Sequence, residues 1–570
     1  MINVESAVSA KFPTFATSPS LLRKPALMFL KKMLHESEIN SFLEQNRDVC
    51  GLDWIDRVFE FLDFSYSASA KDRENIPATG RVVIVSNHPI GSLDGLALLK
   101  LVGEVRRDVV IVANDMLSHF RELSSLLIPV DNMTGGSSLR SFRKVIAELE
   151  KEKAVIVFPA GEVSRASPVG IRDCEWRPGF LHFARKTGAP VLPVQVAGRN
   201  SALFYGASML FKPLSTLLLS DEMFRQQSRD IRIHIGESIS LDKLQSDKLH
   251  DRTLVKRLRK HVYKLHRRGK AVFVTERTIA HPENRQHLQF ELQSAQLLGT
   301  THDNNFIYLF DWQPDSAVMR EIGRLRELAF RKVGEGTGKR RDLDIHDHYY
   351  RHLVLWDREK LEIAGAYRIG EGRKILESRG INGLYTSSLY HYEIEFSAYI
   401  TKGVELGRSF VNPAYWGKAS LDYLWQGIGA YVAHDPEIRY LFGPVSMSAS
   451  YPRSLMDELV WYFSKFHAPQ QCLTRAKRPF LSDAASNPDF EIKYSGLDCD
   501  AAFRLLQESF REQNCRIPVL YKQYTALFET GGFQSLVFST DPDFADCLDG
   551  LCMADLSLLK ATKRKRYVAK

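Results

Sequence analysis

The sequence lacks any run of about 18 uncharged apolar residues, the shortest helix that crosses a bilayer. Its first residues, MINVESAVSAKF, also lack the basic-then-apolar order of a secretory signal peptide. Seven cysteines are scattered over 570 residues without a Cys-x2-Cys pair, which argues against structural zinc and against a disulfide-stabilised secreted protein. These absences predict a cytoplasmic protein without a metal site.

The composition is that of ordinary globular domains, with 44% hydrophobic and 25% charged residues. A chain of 570 residues has room for two or three domains. The net charge of +9 favours an anionic partner: a membrane surface, an acidic protein or nucleic acid. Nucleic acid is not predicted, because no stacking pattern or recognition motif accompanies the basic runs.

Residues 1–60 are predicted to form an amphipathic helical region, and the stretch from Leu21 to Leu34 is the most informative part of it. Four basic residues lie there among Leu, Met and Phe, and Pro25 suits the first turn of a helix. Such a helix either lies in a membrane interface or packs on a neighbouring domain with its basic face in solvent. The pattern leaves both open.

The first chemical motif follows a predicted buried strand at residues 82–85. The strand ends at Asn87-His88, and Asp94 follows at the start of an apolar helical run. In α/β folds the carboxyl ends of strands carry the chemistry. A His that takes a proton from a hydroxyl needs a carboxylate that fixes its tautomer. The simpler alternative is a strand-end His with Asp94 as a helix cap.

Two more strands with polar loops follow. Residues 155–158 predict a buried strand that ends in a loop with Gly161, Glu162 and Arg165, and residues 189–194 predict another. Strands that alternate with helical patterns indicate an α/β domain, over residues 61–285. Arg165 is a candidate phosphate ligand, the alternative being a surface arginine.

Taken in order, these blocks resemble the glycerophospholipid (lysophospholipid) acyltransferases, whose motifs are Asn-His-x4-Asp, Phe-Pro-Glu-Gly-Thr-Arg and Val-Pro-Val. Here the His–Asp spacing is one residue longer and Ala160 replaces the loop glutamate, which points to the branch that O-acylates in ornithine lipid synthesis. The resemblance implies that His88 is the base for a hydroxyl and that Asp94 orients it. The implied substrate-binding residues are Asn87, Gly161, Glu162 and Arg165.

The second half, residues 286–570, has a different pattern. Neighbouring antiparallel-type strands with helices around them indicate an α+β domain. The glycines at 334–338 lack the Lys-Ser/Thr ending of a P-loop, and the acidic run at 342–347 lacks the pattern of a calcium loop. The predicted strands cover residues 361–369, 392–399, 404–411 and 440–446.

This half resembles the acetyltransferase-like (GNAT-type) N-acyltransferases of ornithine lipid synthesis and, more distantly, the acylhomoserine lactone synthases. The segments that carry the resemblance include DLDIHDHYYRHLVLWD at 342–357 and VELGRSFVNPAYWG at 404–417. The pyrophosphate loop of the fold is degenerate at 415–419. The resemblance therefore favours acyl carrier protein over coenzyme A as the acyl donor.

Transfer of an acyl group to an amine needs a base for the amine and a polarised thioester carbonyl. Glu405 is the first candidate for the acid/base group and Asp344 the second. Arg368 and Arg408 are candidates for binding an amino acid carboxylate or the phosphate of the carrier. Glu405 and Arg408 face opposite sides of their strand unless a bulge at Gly407 re-aims one. A structural ion pair is the alternative for each.

Together the halves resemble the bifunctional ornithine lipid synthases. The resemblance implies that the second domain N-acylates ornithine with a 3-hydroxyacyl group from acyl carrier protein and that the first domain esterifies the 3-hydroxyl. It implies no cofactor, and a peripheral position at the inner membrane through residues 21–34. Glycine or glutamine in place of ornithine stays open. The alternatives are a lysophospholipid (1-acylglycerol-3-phosphate) acyltransferase whose second domain is non-catalytic or resembles a signal synthase, and a scaffold that binds acyl carrier protein.

Overall fold

The computed structural model describes residues 3–6, 20–114, 120–130, 139–167, 170–210, 212–226, 230–245, 249–266, 272–482 and 488–568. The chain divides into two compact units, unit 1 from Met1 to Ala280 and unit 2 from His281 to Lys570. The sequence predicts the domain boundary at 285/286.

Unit 1 contains a mixed sheet and a separate two-stranded pair. Its strands are β1 (Ser65–Ser67), β2 (Val82–Ser86), β3 (Val109–Asn114), β4 (Leu127–Val130), β5 (Ala154–Val157), β6 (Arg165–Ser167), β7 (Gly170–Arg172), β8 (Val191–Ala197) and β9 (Asp230–Ile235). The seven-stranded sheet has the order β1-β9-β8-β2-β5-β3-β4, and β6 pairs with β7. Neighbours in the large sheet are parallel except β8 and β9.

Strand β2 lies at the centre of this sheet and is buried along its whole length. It pairs in parallel with β5 on one side and with β8 on the other. Apolar clusters cover both faces, with Ile84 in one and Val83 in the other. A strand buried on both faces is apolar throughout rather than alternating, which explains the run that the sequence shows.

The helices of unit 1 surround the sheet, and those near the N-terminus contribute Leu43, Trp54 and Ile55 to its core. No described helix of the chain is long and apolar enough to span a bilayer. The helices are α1 (Ser20–Met33), α2 (Glu36–Gln45), α3 (Gly51–Phe61), α4 (Ala70–Glu74), α5 (Ser92–Gly103), α6 (Leu139–Glu150), α7 (Gly179–Thr187), α8 (Ala202–Leu210), α9 (Lys212–Arg225), α10 (Leu241–Gln245) and α11 (Asp251–Val262).

Unit 2 contains an eight-stranded sheet of order β10-β11-β12-β13-β15-β16-β19-β18 and a separate pair, β14 with β17. The strands are β10 (Gln296–Thr300), β11 (Phe306–Asp311), β12 (Arg351–Asp357), β13 (Glu362–Glu371), β14 (Tyr390–Tyr392), β15 (Gly403–Val411), β16 (Tyr440–Met447), β17 (Thr474–Ala476), β18 (Phe533–Asp541) and β19 (Cys547–Asp555). All pairs are antiparallel except β15 with β16.

The helices of unit 2 pack on the sheet around a large apolar core. They are α12 (Arg285–Gln293), α13 (Ala317–Val333), α14 (Gly372–Arg379), α15 (Phe396–Thr401), α16 (Ser420–His434), α17 (Arg453–Phe466), α18 (Pro488–Lys493), α19 (Cys499–Glu512), α20 (Val519–Leu527) and α21 (Ala561–Tyr567).

The strand predicted at 392–399 is wrong. Strand β14 ends at Tyr392, and α15 begins at Phe396. Phe396 and Ile400 are both fully buried, whereas Ala398 midway between them is exposed, so this segment buries one face with the helical spacing rather than the strand spacing.

Two neighbouring strands of unit 2 separate in the middle of the sheet. Strands β15 and β16 pair only from Gly403 to Glu405, opposite Tyr440 to Phe442. Just beyond, Gly443 approaches the Leu406 carbonyl so closely that a Cβ would stand 2.0 Å from that oxygen. The remaining residues of both strands diverge and leave a wedge between them.

Strand β15 also carries a bulge beside Gly407, the condition under which the sequence allowed Glu405 and Arg408 to share one side of the strand. Its pairing with β13 shifts between Ala366 and Arg368, and Arg408 has a left-handed backbone, with φ 45°. A bulge changes the side to which the following side chains point. The bulge therefore allows the side chains of Glu405 and Arg408 to lie on the same side of β15.

Candidate active sites

In unit 1 the structure brings His88 and Asp94 together at the carboxyl end of β2. The Nδ1 atom of His88 lies 3.1 Å from Oδ2 of Asp94, and the His88 side chain is 18% exposed while Asp94 is fully buried. Oδ2 also accepts hydrogen bonds from the backbone N–H groups of Ile90 and Gly91. Asp94 is thus both the cap of α5 and the partner of the histidine, the two alternatives that the sequence left open.

The surroundings of this pair fix its orientation. The His88 ring stacks on the Phe158 ring at a centroid distance of 4.1 Å. Burial raises the pKa of Asp94 above its ordinary value, against the lowering effect of His88 and two backbone donors. With Nδ1 directed at Asp94, the Nε2 atom of His88 is left to meet a substrate.

Asn87 faces the neighbouring strand rather than the surface. Its amide nitrogen donates to the Val196 carbonyl at 2.9 Å, and its Oδ1 accepts from the Val196 N–H at 2.8 Å. Both polar atoms of the buried Asn87 side chain therefore fasten β2 to β8. In this structure Asn87 positions His88.

The loop after β5 lies beside the histidine. Gly161 has φ 69°, and a Cβ placed on it would have no other atom within 4 Å, so the chain turns there with free space above it. Glu162 and Arg165 form an ion pair at 3.6 Å, and the Arg165 guanidinium lies 5.6 Å from the centroid of Phe204. The loop presents one cation and one anion close together.

Asp173 is a residue of this site that the sequence did not reveal. Its Oδ1 accepts from the His88 backbone N–H at 3.1 Å and from the Ser164 hydroxyl at 2.5 Å. Its Oδ2 accepts from the Trp176 indole at 2.7 Å. This buried carboxylate fastens the Ser164 loop to the His88 loop, across 85 residues of sequence. No local motif marks it.

In unit 2, Arg368 is fully buried on β13. Its Nη1 donates to Asp344 at 2.7 Å, and its guanidinium lies 4.9 Å from the centroid of Tyr385. Its Nε and Nη2 atoms have no hydrogen-bond partner among the described residues. A buried guanidinium with unused donors favours binding of a planar anion.

The two aspartates beside Arg368 remain charged. Burial alone would raise the pKa of Asp344, but the hydrogen bond from His346 and the charge of Arg368 hold it well below its usual range. Asp347 likewise has a lowered pKa, held there against burial by the charges of Arg326 and Arg368. A carboxylate of such low basicity is a poor proton acceptor, so Asp344 serves here to hold Arg368.

Arg408 lies in the same region as Arg368. Its Nε is 3.1 Å from Oδ2 of Asp342, and its Nη1 donates to the Tyr385 hydroxyl at 2.8 Å. The pKa of Arg408 is raised, because its anionic and phenolic neighbours outweigh burial. The two arginines predicted to bind anions thus share Tyr385 as a neighbour.

Glu405 is 1% exposed and fully engaged. Its carboxylate accepts hydrogen bonds from the Tyr350 hydroxyl and from the backbone N–H groups of Tyr385 and Thr386. Three donors hold the carboxylate in place and fasten the turn at 385–388 to β15. This geometry leaves Glu405 little capacity for an incoming amine.

A cavity of about 160 Å³ lies where β15 and β16 diverge. Ser409 lines it from β15 and Ser446 from β16, and the segment from Pro518 to Leu520 closes another side. The wall is otherwise apolar. A mostly apolar cavity with a few polar groups is the usual form of a ligand site.

Three carboxyl groups of unit 2 with raised pKa values also escaped the sequence-based prediction. Burial raises the pKa of Asp549 to about 7 and that of Glu335 to about 8, and it raises the pKa of Asp541 as well. Asp549 lies directly opposite Ser446 in the sheet. Among the described residues no group of three or more His, Cys, Asp or Glu side chains is arranged to hold a metal ion.

Two family profiles match this chain. One, described as Acyltransferase, matches residues 9–271. The other, described as Acetyltransferase (GNAT) domain, matches residues 325–426. Each lies within one of the two units.

Relatives with named activities each match less than half of the chain. A glycine N(alpha)-acyltransferase of Bacteroides thetaiotaomicron is 33% identical over 265 residues, 44% of this chain and 78% of its own length. A lyso-glycine lipid O-acyltransferase of the same organism is 33% identical over 247 residues, 42% of this chain and 88% of its own length. An L-ornithine N(alpha)-acyltransferase of Rhodobacter capsulatus is 31% identical over 176 residues, 29% of this chain and 66% of its own length.

Proposed function

This chain belongs to the acyltransferases, with a GNAT domain in the same polypeptide, and from that premise we propose that it makes a diacylated amino acid lipid in two steps. Unit 2 N-acylates the amino acid, and unit 1 esterifies the hydroxyl of the acyl chain. The observation that carries the proposal is that one chain resembles both an N-acyltransferase and an O-acyltransferase of one lipid type.

In the first step, Arg368 binds the carboxylate of the amino acid through its unused Nε and Nη2 donors. Asp344 holds the guanidinium from the other side. The wedge between β15 and β16 takes the acyl thioester, whose chain fits a cavity with an apolar wall. The bound amine then attacks the thioester carbonyl, and the thiol leaves.

In the second step, Nε2 of His88 takes the proton of the 3-hydroxyl while the oxygen attacks a second thioester. Asp94 accepts from Nδ1 and stabilises the imidazolium that forms. The imidazolium then gives the proton to the departing thiolate. Arg165, in the neighbouring loop, binds an anionic group of the donor or the acceptor.

Glycine is the first candidate for the amino acid. The glycine enzymes match over 265 and 262 residues, whereas the ornithine enzyme of Rhodobacter capsulatus matches over 176. Ornithine is the second candidate, supported by three relatives of that name. Both carry the α-carboxylate that Arg368 requires.

The thioesters come from acyl carrier protein, and the lipid intermediate is held at the inner surface of the bacterial inner membrane. Helix α1 supports this position. Met28 and Phe29 are 70% and 66% exposed, and the exposed Lys24 and Lys32 lie one turn to either side of Met28. An apolar patch between lysines suits an interface with anionic lipids.

Lipid mass spectrometry tests the proposal, after expression in a bacterial host that makes no amino acid lipids. The parent chain is expected to give a diacylated amino acid lipid, and His88→Ala its monoacylated amide. Arg368→Ala should give neither, and feeding the amide to that variant should restore the diacyl product. His182→Ala, an exposed histidine on α7, is the matched control.

The masses also name the amino acid. A rise in phosphatidic acid without any amino acid lipid would overturn the proposal in favour of lysophospholipid acylation. Loss of the monoacylated amide in His88→Ala would mean that the two units do not perform separate steps.

A further inference from the structure

The proposed N-acyl transfer needs a proton acceptor, and the two carboxyls that the sequence offers for this role are already engaged. Glu405 accepts three hydrogen bonds, and Asp344 is bound to Arg368. The acceptor must lie next to the wedge and have a proton affinity close to the working pH.

Asp549 meets both requirements. It lies on β19 and is 1% exposed, and its direct cross-strand partner is Ser446 on β16. Opposed residues of an antiparallel pair point to the same face, and the Ser446 hydroxyl is hydrogen-bonded to the Asp549 carboxyl. Ser446 itself lines the cavity at the wedge.

Asp549 differs from Asp344 and Asp347 in its partners. Its carboxyl meets the neutral Ser446 hydroxyl and the Cys547 thiol, the latter 3.7 Å away. Asp344 and Asp347, by contrast, are paired with arginines. Carboxyls whose environments differ in this way divide the roles of a site between them.

We propose that Ser446 and Asp549 form the proton path of the N-acyl transfer, with Ser446 in contact with the substrate amine and Asp549 as the acceptor behind it. The assignment rests on the proposed function and adds the base that this function requires. It places the base on β19, the neighbour of β16 on the side away from the wedge, and not on β15.

The protons and bonds of the step balance. The ammonium group gives one proton to the Ser446 oxygen while the Ser446 proton passes to the Asp549 carboxylate. The neutral amine attacks the thioester carbonyl, so that a C–N bond forms and the C–S bond breaks. A second proton of the nitrogen goes to the departing thiolate, and the amide keeps the third. Asp549 returns its proton through Ser446 after the product has left.

The pKa of about 7 for Asp549 places the loss of its proton in the physiological range. Several helices and strands contribute titratable groups around Asp549, and the pH dependence of the reaction reflects the coupled titration of all of them. The titratable groups that act on Asp549 or feel its charge are Glu335, Tyr385, Tyr390, Arg408, Tyr521, Asp541, Cys547 and Cys552.

The test measures thiol release by the full chain, with the amino acid and 3-hydroxyacyl carrier protein thioester that the mass spectrometry identifies. In Asp549→Asn, kcat is expected to fall about 10²- to 10⁴-fold at pH 8, with KM for the amino acid nearly unchanged. The parent chain is expected to lose kcat below about pH 7, and this decline is expected to vanish in Asp549→Asn.

Two more variants separate a proton path from a structural effect. Asp549→Glu keeps a carboxyl and should restore part of kcat, and Ser446→Ala should lower kcat while keeping the fall at acidic pH. Asp546→Asn changes an exposed aspartate just before β19 and should behave as the parent chain.

An Asp549→Asn variant with the parent's kcat and acidic limb overturns the assignment. If that variant fails to fold, an unchanged kcat in Ser446→Ala overturns the path. A parent chain that releases no thiol with any amino acid refutes the proposed function instead, so the two failures are distinguishable.

Discussion

The buried carboxyls of unit 2 differ in what surrounds them, and that difference has a consequence for stability. Asp344 and Asp347 are paired with arginines and keep a lowered pKa. Asp549 has a raised pKa, because burial and the neighbouring Asp541 disfavour its charge. The first two stabilise the fold as anions. Asp549 stabilises it only when protonated.

Replacement of Asp549 by Asn should therefore stabilise the protein at alkaline pH. The folded pKa is about 7 and the ordinary value is 3.8, so the folded chain keeps a proton that the unfolded chain releases. Stability is highest below the ordinary value and falls as the pH rises through about 7. At about 1.4 kcal/mol per pKa unit, the variant gains up to ~4 kcal/mol above pH 7 and nothing below pH 4.

Calorimetry of the full chain at several pH values checks this. The melting temperature of Asp549→Asn should exceed that of the parent by a margin that widens between pH 5 and pH 8, and Asp546→Asn should show no such trend. A difference in melting temperature between Asp549→Asn and the parent chain that does not change with pH would contradict this prediction.

Some of these residues were predictable and others were not, for a physical reason. His88 and Asp94 are six apart, and the strand–turn–helix pattern that brings them together is local. Asp173 and Asp549 act through partners that lie 85 and 103 residues away. Their positions depend on strand pairing across the fold, which a spacing pattern does not encode.

At the scale of elements, the sequence predicted a segment correctly where its burial follows one simple pattern along the chain. The apolar run of β2 was predicted because it leaves a mark in a few consecutive residues, whereas the bulge of β15 was named only as a condition. The separation of β15 from β16 leaves no such mark. Nor does the close approach just before it, where Gly443 admits the Leu406 carbonyl and any side chain would collide.

Helix α1 provides a prediction at this scale. Phe29→Asp should weaken binding of the full chain to vesicles that contain anionic lipid, because it places a charge in the exposed apolar patch beside Met28. Burying one Phe contributes about 1.5–3 kcal/mol, which corresponds to roughly 10- to 100-fold in the partition constant.

Vesicle sedimentation measures this partition. Phe290→Asp is the matched control, since Phe290 is 77% exposed on α12 of unit 2. Thiol release with soluble substrates should stay at the parent level in both variants. Equal binding of the Phe29→Asp variant and the parent would mean that α1 is a packing helix with a solvated basic face.

At the scale of the whole molecule, the notable fact is that the two acyltransferase domains share one chain. The two Bacteroides thetaiotaomicron relatives are shorter than this chain, so the two reactions proposed for it are named there for separate proteins. A covalent link raises the effective concentration of the second site for a product released at the first. The advantage of the covalent link is kinetic, and it should grow as the protein is diluted.

Two variants, each deficient in one of the two proposed reactions, can measure that advantage. In an equimolar mixture of His88→Ala and Arg368→Ala, each chain retains one proposed reaction, and the monoacylated amide must pass from one molecule to another. In detergent solution the amide should accumulate, and the diacyl product should form after a lag that lengthens on dilution. The parent chain at the same concentration of sites should show roughly 10- to 100-fold less free amide.

The comparison is made by mass spectrometry over a dilution series at a fixed substrate concentration. In vesicles the difference should shrink, because both molecules and the amide are confined to one surface. If the parent chain accumulates as much amide as the mixture at every dilution, the intermediate is released freely. The fusion then coordinates the production of the two domains rather than their reactions.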